Sequence, residues 1–505
     1  MKNKFIRKWL VILTVAAMMI PAGIPANAET VEEGENIAPT AGISAETPNV
    51  TAETQKEEIS AEMPDMTAET QNEEKSDVQA EGQNQAKQGV LEAVRQNTEK
   101  AEEASDAVDV QAEERTAGEV QIGEQIYPTL TEAFAAAKDG DVLRLLENAE
   151  VSQPILLTKN VTLDTNGFTV SAAAGFKGNF MFTNRGTFNI VGSGKIDGSV
   201  GTYPLIMINN TGGAVLNIQS SEITGQGVVQ NVGGIVNITG GTLTASARNT
   251  VLSQFGEVHI GASAHLMAAG EGKSAVQLIG AKMTLSGDAV LSGNGGIDVF
   301  YSNRNEEGTV SAQVEITGGR IETKDFPVSG NNQESAGAEV AITGGSLKNI
   351  SGGTAIYWPM EGQLTIGGNA VIEGGTGIEA KMGTITIKDN AVITGSGEWK
   401  EEKPQNGGAN PEGSAFLGSA QMYDGCINDS SLVVNILGGT LKSVNGNAVT
   451  IYNTEEKSDV RADISVTGGS LQPAAGKGAV KVITSGDNTT RFDPDNHLRI
   501  RLRED

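Results

Sequence analysis

Cysteine is nearly absent from this chain of 505 residues, in which Cys426 is the only one. A single thiol cannot form an internal disulfide, so packing has to stabilise the fold. Aromatic residues are also scarce, at 4 %, whereas glycine occurs 64 times. This balance disfavours a large helical domain and favours many short β-strands joined by tight turns.

Histidine is equally rare, and His259, His265 and His497 are not spaced as metal ligands. Cys426 has no histidine partner in the register of the repeats described below, which argues against a catalytic thiol. We therefore predict no metal site and no cofactor. Calcium in the acidic turns is left open, although DPDN at Asp493 lacks the spacing of an EF-hand.

Basic residues are outnumbered, because 36 Lys and Arg stand against 63 Asp and Glu, which gives a formal charge of −27. A surface of this sign repels phosphate backbones. Nucleic acid is therefore not expected as a partner.

Residues 1–28 have the composition of a secretory signal peptide. They begin with the basic segment MKNKFIRK, continue with the apolar run Trp9–Ile20 and end on Ala26-Asn27-Ala28, a small-x-small cleavage site. An apolar run of about 12 residues is too short to span a bilayer. We expect a secreted, extracellular protein, either free or associated with the cell surface, without a transmembrane segment after cleavage.

Residues 29–117 are predicted to form a disordered, acidic, low-complexity spacer. The 16-residue unit ISAETPNVTAETQKEE at Ile43 returns as ISAEMPDMTAETQNEE at Ile59. Such a segment cannot bury enough apolar surface to offset its chain entropy.

Residues 118–159 are predicted to hold an N-terminal cap and the first strands. Thr129 and Glu132 have the spacing of a capping box, and the helix Thr131–Lys138 is expected to close the end of the core.

Residues 160–486 repeat one pattern, seen most clearly in VNITGGTLTA at Val236 and VAITGGSLKN at Val340. Two aliphatic residues flank one polar residue, which is the period of a strand with one buried face. The Gly-Gly that follows supplies a sharp corner. Twelve such pairs occur, most of them 20 to 31 residues apart: Val161/Leu163, Phe188/Ile190, Leu216/Ile218, Val236/Ile238, Val258/Ile260, Met283/Leu285, Val314/Ile316, Val340/Ile342, Leu364/Ile366, Ile385/Ile387, Val434/Ile436 and Ile464/Val466.

Each repeat also contains a second strand, such as those beginning at Ile223 and Leu243, and a third, such as GVVQN and TAIYW. Three short strands per coil predict an all-β fold, a right-handed single-stranded parallel β-helix of about 12 coils stacked ~4.8 Å apart. Residues 487–505 are assigned to a C-terminal cap or tail.

The cap-like start, the three-strand coils and the ITGG corners resemble the pectin-lyase-like right-handed parallel β-helix superfamily. More narrowly, they resemble repeat-rich secreted and surface adhesin-like proteins of Gram-positive gut bacteria. The resemblance covers residues 118 to 486 and implies polysaccharide lyases or glycosidases as the enzymes to consider.

A catalytic pair is not evident from the sequence. Asp298 and Glu379 both fall on the outward side of the third strand, but three steps of ~4.8 Å place them about 14 Å apart, too far for joint glycosidase chemistry. They are expected on a solvated face. The Asp–Asp and Gly-His-Gly signatures of the related polygalacturonases are absent from the sequence. Catalytic residues are left unassigned, and we favour a protein that is not an enzyme.

Two groups of residues are predicted to contact a ligand, because aromatic rings stack on sugars while polar neighbours bond to hydroxyls. The first lies on the outward side of the third strands and the second on the long insertion between Ile387 and Ile436, which also holds a predicted strand at Ala415–Leu417. The candidates are Asp298, Phe300, Tyr357, Glu379 and Tyr452 on the strands, and Trp399, Glu401 and Tyr423 on the insertion.

The expected function is therefore non-enzymatic adhesion or glycan binding, with host or bacterial glycans or surface proteins as partners. Two alternatives stay open: a polysaccharide lyase or glycoside hydrolase acting on extracellular or host glycans, and a structural spacer of a surface assembly.

Overall fold

The computed structural model describes residues 118–199, 203–300, 302–303, 309–330, 338–401, 408–419, 431–453, 461–484 and 498–502. All of them fall within one compact unit, Val110–Asp505. The predicted signal peptide and spacer, Cys426 and the candidate Tyr423 lie outside the described residues.

The chain winds through three long sheets in turn, which we call sheets A, B and C. Sheet A has 16 strands, of which the second in spatial order pairs antiparallel with both of its neighbours, and parallel pairing begins at the third. In spatial order they are Gln125–Tyr127, Val120–Ile122, Val142–Leu145, Asn160–Asp164, Thr187–Val191, Val215–Ile218, Ile235–Ile238, Glu257–Ile260, Lys282–Leu285, Gln313–Ile316, Ala338–Ile342, Gly362–Ile366, Gly383–Ile387, Ser431–Ile436, Arg461–Val466 and Leu498–Leu502.

Sheets B and C have 13 parallel strands each. Sheet B contains Ala149–Val151, Thr169–Ala172, Lys195–Asp197, Glu222–Gly225, Thr242–Ala245, His265–Ala268, Val290–Gly293, Arg320–Thr323, Ser346–Asn349, Val371–Gly374, Val392–Gly395, Thr440–Ser443 and Ser470–Gln472. Sheet C contains Ile155–Leu157, Phe180–Asn184, Ile206–Thr211, Val229–Val232, Val251–Gln254, Ser274–Ile279, Gly295–Phe300, Val328–Gly330, Thr354–Trp358, Thr376–Ala380, Phe416–Ser419, Val449–Asn453 and Val480–Thr484. A short antiparallel pair, Ser302–Asn303 with Thr309–Val310, stands apart.

The fold is the predicted right-handed parallel β-helix, and its register explains the repeat. Leu216 pairs with Val236, which pairs with Val258, so equivalent aliphatic side chains lie directly above one another. The predicted core pairs are buried throughout, apart from Val466, which is partly buried. Burying one such side chain stabilises the fold by about 1.5–3 kcal/mol, so the repeated stack supplies most of the stability.

The N-terminal helix closes one end of this stack, as predicted. It spans Leu130–Ala136, and the Thr129 side chain accepts a hydrogen bond from the Glu132 N–H at 3.2 Å. Phe134 packs edge-on against Phe182 and Phe188, with ring centroids 5.9 and 6.0 Å away. Without this cover the first aliphatic layer would contact water.

A buried asparagine ladder, which the sequence did not predict, joins sheet C to the corner before sheet A. The Asn184 amide donates to the Asn210 carbonyl oxygen at 2.8 Å, and Asn210 donates to Asn231 at 2.9 Å. All three side chains are fully buried. Each also donates to backbone carbonyls of the corner, so the polar groups stay satisfied inside the core.

The Gly-Gly corners place the second glycine in the left-handed region, as at Gly345 with φ of +82°. A Cβ added to Gly345 would lie 2.7 Å from the Gly318 carbonyl oxygen of the preceding coil. In the four-residue variant corner KDNA the left-handed residue comes one position earlier, at Asp389 with φ of +58°. The glycine is therefore needed both for its backbone angle and for the close approach of two coils.

We predict that Gly345→Ala lowers the free energy of unfolding by roughly 2–3 kcal/mol more than Gly352→Ala does. Gly352 has a similar φ of +79°, but a Cβ there would meet no atom within 4 Å. The control should cost only the ~1 kcal/mol of left-handed strain. Urea denaturation of both variants checks this, and equal losses would show that the close approach between coils is unimportant.

Candidate functional site

The outer face of sheet C carries the ligand-contact residues predicted on the strands. In register, Asp298 pairs with Ser329, Ser329 with Tyr357, and Tyr357 with Glu379. The row continues through Leu417 to Thr450 and Lys481. Asp298 and Glu379 are therefore three strand steps apart, as predicted, and do not form a catalytic pair.

This face is covered rather than solvated over much of its length. Glu379 is 0 % exposed, Tyr452 2 % and Tyr357 8 %. The expectation that Glu379 lies on a solvated face is wrong, because part of the insertion folds back over the strand Thr376–Ala380. We call the covering residues 408–414 the strap.

Several hydrogen bonds attach the strap to sheet C, and three of them run from or to side chains of or beside the strand Thr376–Ala380. The Asn410 N–H donates to Glu379 Oε2 at 2.7 Å, and the Glu412 N–H donates to Thr376 Oγ1 at 2.8 Å. The Lys381 ammonium donates to the carbonyl oxygen of the first strap residue at 2.5 Å. Side chains of the sheet thus bind the strap backbone.

At its far end the strap turns through Gly413, whose φ is +92°. A Cβ on Gly413 would lie 2.7 Å from the Gly397 carbonyl oxygen, so the strap and the start of the insertion are in close contact. The Ser443 hydroxyl donates to the Gly413 carbonyl oxygen at 2.6 Å. The strap then leads into the strand Phe416–Ser419, close to the predicted Ala415–Leu417.

Under the strap lies an ion pair that is fully buried. Lys381 Nζ is 3.8 Å from Glu379 Oε1, and both side chains are 0 % exposed. Lys381 Nζ also lies 5.0 Å from the ring centroid of Tyr357, which stacks on Phe326 at 5.1 Å. Burial raises the pKa of Glu379 to about 7, although Lys381 and the Asn410 N–H favour the ionised form. Burial also lowers the pKa of Lys381, and Glu379 opposes that change.

Glu412, on the strap itself, is a second buried carboxyl group. It is 1 % exposed, and within the described structure neither of its oxygens makes a hydrogen bond of good geometry. The Ser414 and Thr450 hydroxyls, bonded to each other at 2.7 Å, lie close to it. Burial raises the pKa of Glu412 to about 7, the nearby hydroxyls oppose that rise, and the Glu379 charge adds to it.

The insertion residues Trp399 and Glu401 reach the same face. Lys477 and Lys481 place their Nζ atoms 4.7 and 5.5 Å from the ring centroid of Trp399. Lys481 also forms an ion pair with Glu401. A Cβ on Gly446 would lie 2.6 Å from Trp399 Cε3, so the glycine permits the indole to pack on the coil. The structure thus brings both candidates next to the row that contains Glu379.

Asp298 and Phe300 belong to a separate place on sheet C. Asp298 accepts hydrogen bonds from Ser274 Oγ at 2.8 Å and from Ser329 Oγ. Burial raises its pKa, and the two hydroxyls oppose that rise. Phe300 is half-buried. Asp298 therefore accepts hydrogen bonds from neighbouring strands of sheet C, at a distance from the strap.

An open groove on sheet A was not predicted. It has a volume of about 500 Å³ and runs across five strands. Two outward rows line it, the first made of Glu257, Lys282, Gln313, Glu339 and Gln363, and the second of His259, Thr284, Glu315, Ala341 and Thr365. Ala341 interrupts a row of longer polar side chains, which leaves room between Glu315 and Thr365 on the neighbouring strands. In the sequence, the alanine between the core residues Val340 and Ile342 was the available signal for this groove.

Polar contacts hold one end of the groove in place. His259 Nδ1 lies 2.9 Å from Thr284 Oγ1, and His259 Nε2 lies 3.5 Å from Glu257 Oε2. The next three strands along the sheet carry an outer asparagine ladder, in which Asn217 donates to Asn189 at 2.7 Å and Asn237 donates to Asn217 at 2.8 Å. The groove is therefore built on a hydrogen-bonded and rigid face.

Comparison with known proteins gives no relative: the chain matches no protein-family model, no curated protein and no solved structure. In the described ranges, His, Cys, Asp and Glu side chains do not gather in the threes or more that could hold a metal ion. Among the same residues, no helix has the length and apolar character needed to cross a membrane.

We predict that Lys381→Met lowers the free energy of unfolding by about 3–5 kcal/mol at pH 8.5, because it leaves the Glu379 charge buried without its cation. The loss should shrink at pH 5.5, where Glu379, with its pKa of about 7, is protonated. The double variant Lys381→Met/Glu379→Gln should recover most of the loss. Urea denaturation at both pH values measures these changes.

The matched control is Lys348→Met, which breaks a Lys–Glu pair on sheet B. Lys348 Nζ lies 3.0 Å from Glu373 Oε2, and the side chains are 49 % and 42 % exposed. This exposed pair should contribute less than about 1 kcal/mol. A Lys381→Met variant no less stable than Lys348→Met would contradict the role assigned to the buried pair.

Proposed function

We propose that this protein is an exported, non-enzymatic β-helix that binds glycans through the groove on sheet A. The observation that carries the proposal is the groove itself: an open cleft of about 500 Å³ on the outer side of a rigid sheet, lined by amide and carboxylate side chains with the methyl group of Ala341 between them. Sugar sites combine these elements, because hydroxyls need hydrogen-bonding partners and ring faces need apolar contact.

The spacing of the rows favours an extended ligand. Gln313, Glu339 and Gln363 stand on successive strands, and so are separated by steps of ~4.8 Å. A chain of sugars lying along the axis of the β-helix would meet a new hydrogen-bonding side chain at each step. A rigid sheet holds these groups in place before binding, which reduces the entropy lost on association.

The charge of the groove selects among glycans. Three carboxylates, of Glu257, Glu315 and Glu339, face one ammonium group, of Lys282, which leaves a formal charge of −2 with His259 neutral. The whole chain has a formal charge of −27. Uronic acids and sialic acids would be repelled, so neutral, N-acetylated or amino sugars are the proposed ligand class.

A lyase or glycosidase is the less favoured alternative. Its carboxylates would have to be reached by a polysaccharide, but Glu379 beneath the strap and Glu412 on the strap are 0 % and 1 % exposed. A groove of negative sign also disfavours the polyuronates that pectin-lyase-like enzymes cleave. The pectin-lyase-like resemblance is therefore proposed for the fold family and not for its chemistry.

The signal-like residues 1–28 and the acidic segment 29–117 support export and display at a distance from the cell surface, as in adhesin-like proteins of Gram-positive bacteria. A structural spacer would share these features, but it would need no groove.

We predict that Ala341→Trp reduces glycan binding at least ~10-fold, equivalent to about 1.4 kcal/mol, because the indole fills the space between Glu315 and Thr365. A glycan array that includes neutral, N-acetylated, amino and acidic glycans identifies the ligand, and titration of the best ligand measures the change.

The matched control is Ser465→Trp, on the same outward row of sheet A but four strands further along. It should bind as the unchanged protein does. Absence of any bound glycan, or equal losses in both variants, would contradict the proposal. Release of unsaturated or reducing ends from polysaccharides incubated with the protein, with or without calcium, would favour the enzyme instead.

A further inference from the structure

Three charged side chains are buried in the described structure, and all three meet at the strap: Glu379, Lys381 and Glu412. Two of them form an ion pair with each other. Glu412 has no cation of its own: the Ser414 and Thr450 hydroxyls and the Ser414 N–H lie near it and favour its ionised form, but neither carboxyl oxygen forms a hydrogen bond of good geometry. An ionised carboxylate in this position would carry a large desolvation cost.

The charges around Glu412 do not compensate for its ionisation. The charged groups that face it from the sheet are Glu379 and, beyond that carboxylate, Lys381, whose ammonium already serves Glu379 and the strap carbonyl of Gly408. With both carboxylates ionised, the buried group has two negative charges and one positive charge. Protonation of Glu412 removes one negative charge, so the three buried side chains together become neutral.

Further charged groups lie at the rim of the strap. Glu401 and Lys481 pair with each other beside Trp399, and Lys477 lies over the same indole. Lys400 contributes its backbone N–H, which donates to the Glu412 carbonyl oxygen at 3.4 Å, while its side chain is exposed. These groups contact one another and the start of the insertion, so they do not offset the burial of the Glu412 carboxyl group.

We propose that the strap is a pH-dependent cover of sheet C, which is most stable while Glu412 is protonated and opens more often once Glu412 ionises, with the closed form still predominant at pH 8.5. Gly413 provides the hinge, because its left-handed backbone connects the strap to the strand Phe416–Ser419. Lifting exposes the buried pair of Glu379 and Lys381. This device is independent of the groove on sheet A and does not require that glycans bind there.

The direction of the pH effect follows from burial. Since burial raises the pKa of Glu412 to about 7 from its ordinary value of 4.5, the protonated form favours the closed strap. The stabilisation is complete below about pH 4.5 and is lost as the pH rises through about 7. Glu379 has a pKa raised in the same direction, but its ionisation is compensated by Lys381. Glu412 therefore determines where the strap opens.

Hydrogen exchange of the full-length protein, followed by mass spectrometry from pH 5.5 to 8.5, tests the proposal. The Asn410 and Glu412 N–H groups report closure directly, because they donate to Glu379 and Thr376. After correction for the intrinsic pH dependence of exchange, their protection should fall at least ~10-fold across this range. The strand Ile235–Ile238 in the core, which carries no titratable side chain, should show no such fall.

Three variants define the role of Glu412. Glu412→Gln is neutral at every pH, so its strap should remain protected up to pH 8.5. Glu379→Gln should keep the transition but move it to lower pH, because the Glu379 charge raises the pKa of Glu412. Glu398→Gln, an exposed position on the same insertion, should leave the profile unchanged. Glu379→Gln keeps the test decisive if Glu412→Gln does not fold.

Protection that is independent of pH in the unchanged protein would overturn the proposal. A transition that persists unaltered in Glu412→Gln would also overturn it. If millimolar calcium restored protection at pH 8.5 in the unchanged protein but not in Glu412→Gln, the cluster would be a cation site, and the proton would not be the occupant that closes the strap.

Discussion

The structure depends on the stacking of aliphatic side chains in register from one coil to the next. No coil has a core of its own, because each inward residue is buried by its equivalents in the coils before and after it, as Val236 is by Leu216 and Val258. Backbone hydrogen bonds of the parallel sheets fix that register. An uncovered end of the stack would therefore expose aliphatic side chains to water. Phe134 of the N-terminal helix covers the first layers.

A core of this kind leaves the outer faces free to vary. Outward side chains have no packing role in the stack, so their rows accommodate amides, carboxylates or the short side chain of Ala341 without a change of fold. Extra residues enter at the corners, where the strands end, and the next strand resumes the register. The insertion after Val392–Gly395 does this: sheet C continues from Thr376–Ala380 to Phe416–Ser419, while the strap lies on its outer face.

The fold was predictable because the sequence states the same pattern a dozen times, so that an ambiguity in one repeat is resolved by the others. Core pairs, Gly-Gly corners and the capping interaction of Thr129 follow from local chemistry. The strand Val328–Gly330 was missed, because it is short and ends on glycine. The ladder through Asn210 was missed too, since burial of an amide depends on partners more than 20 residues away.

The candidate site was less predictable for a related reason. Alternation correctly assigned Glu379 and Tyr357 to the outer side of sheet C, but it carries no information on what covers that side. The cover comes from a segment that occurs once, without a repeat to compare, and its hydrogen bonds to sheet C join residues 27 or more positions apart, as between Lys381 and Gly408. The sequence placed Trp399 and Glu401 on the insertion, but it did not predict that the insertion lies next to this face. The groove exists because the side chain of Ala341 is smaller than its neighbours on other coils. Patterns in a single sequence do not compare the sizes of side chains on different coils.

Burial of charge at one place has a consequence for how the whole molecule responds to pH. The aliphatic stack contains no side chain that titrates, so a change of pH has little effect on the stability of the coils themselves. At the strap, in contrast, burial raises the pKa of two carboxyl groups to about 7. The pH sensitivity that we propose therefore lies in a segment that the stack does not need. A change in that segment leaves the scaffold and the surface of sheet A in place, because the register of the core is set elsewhere.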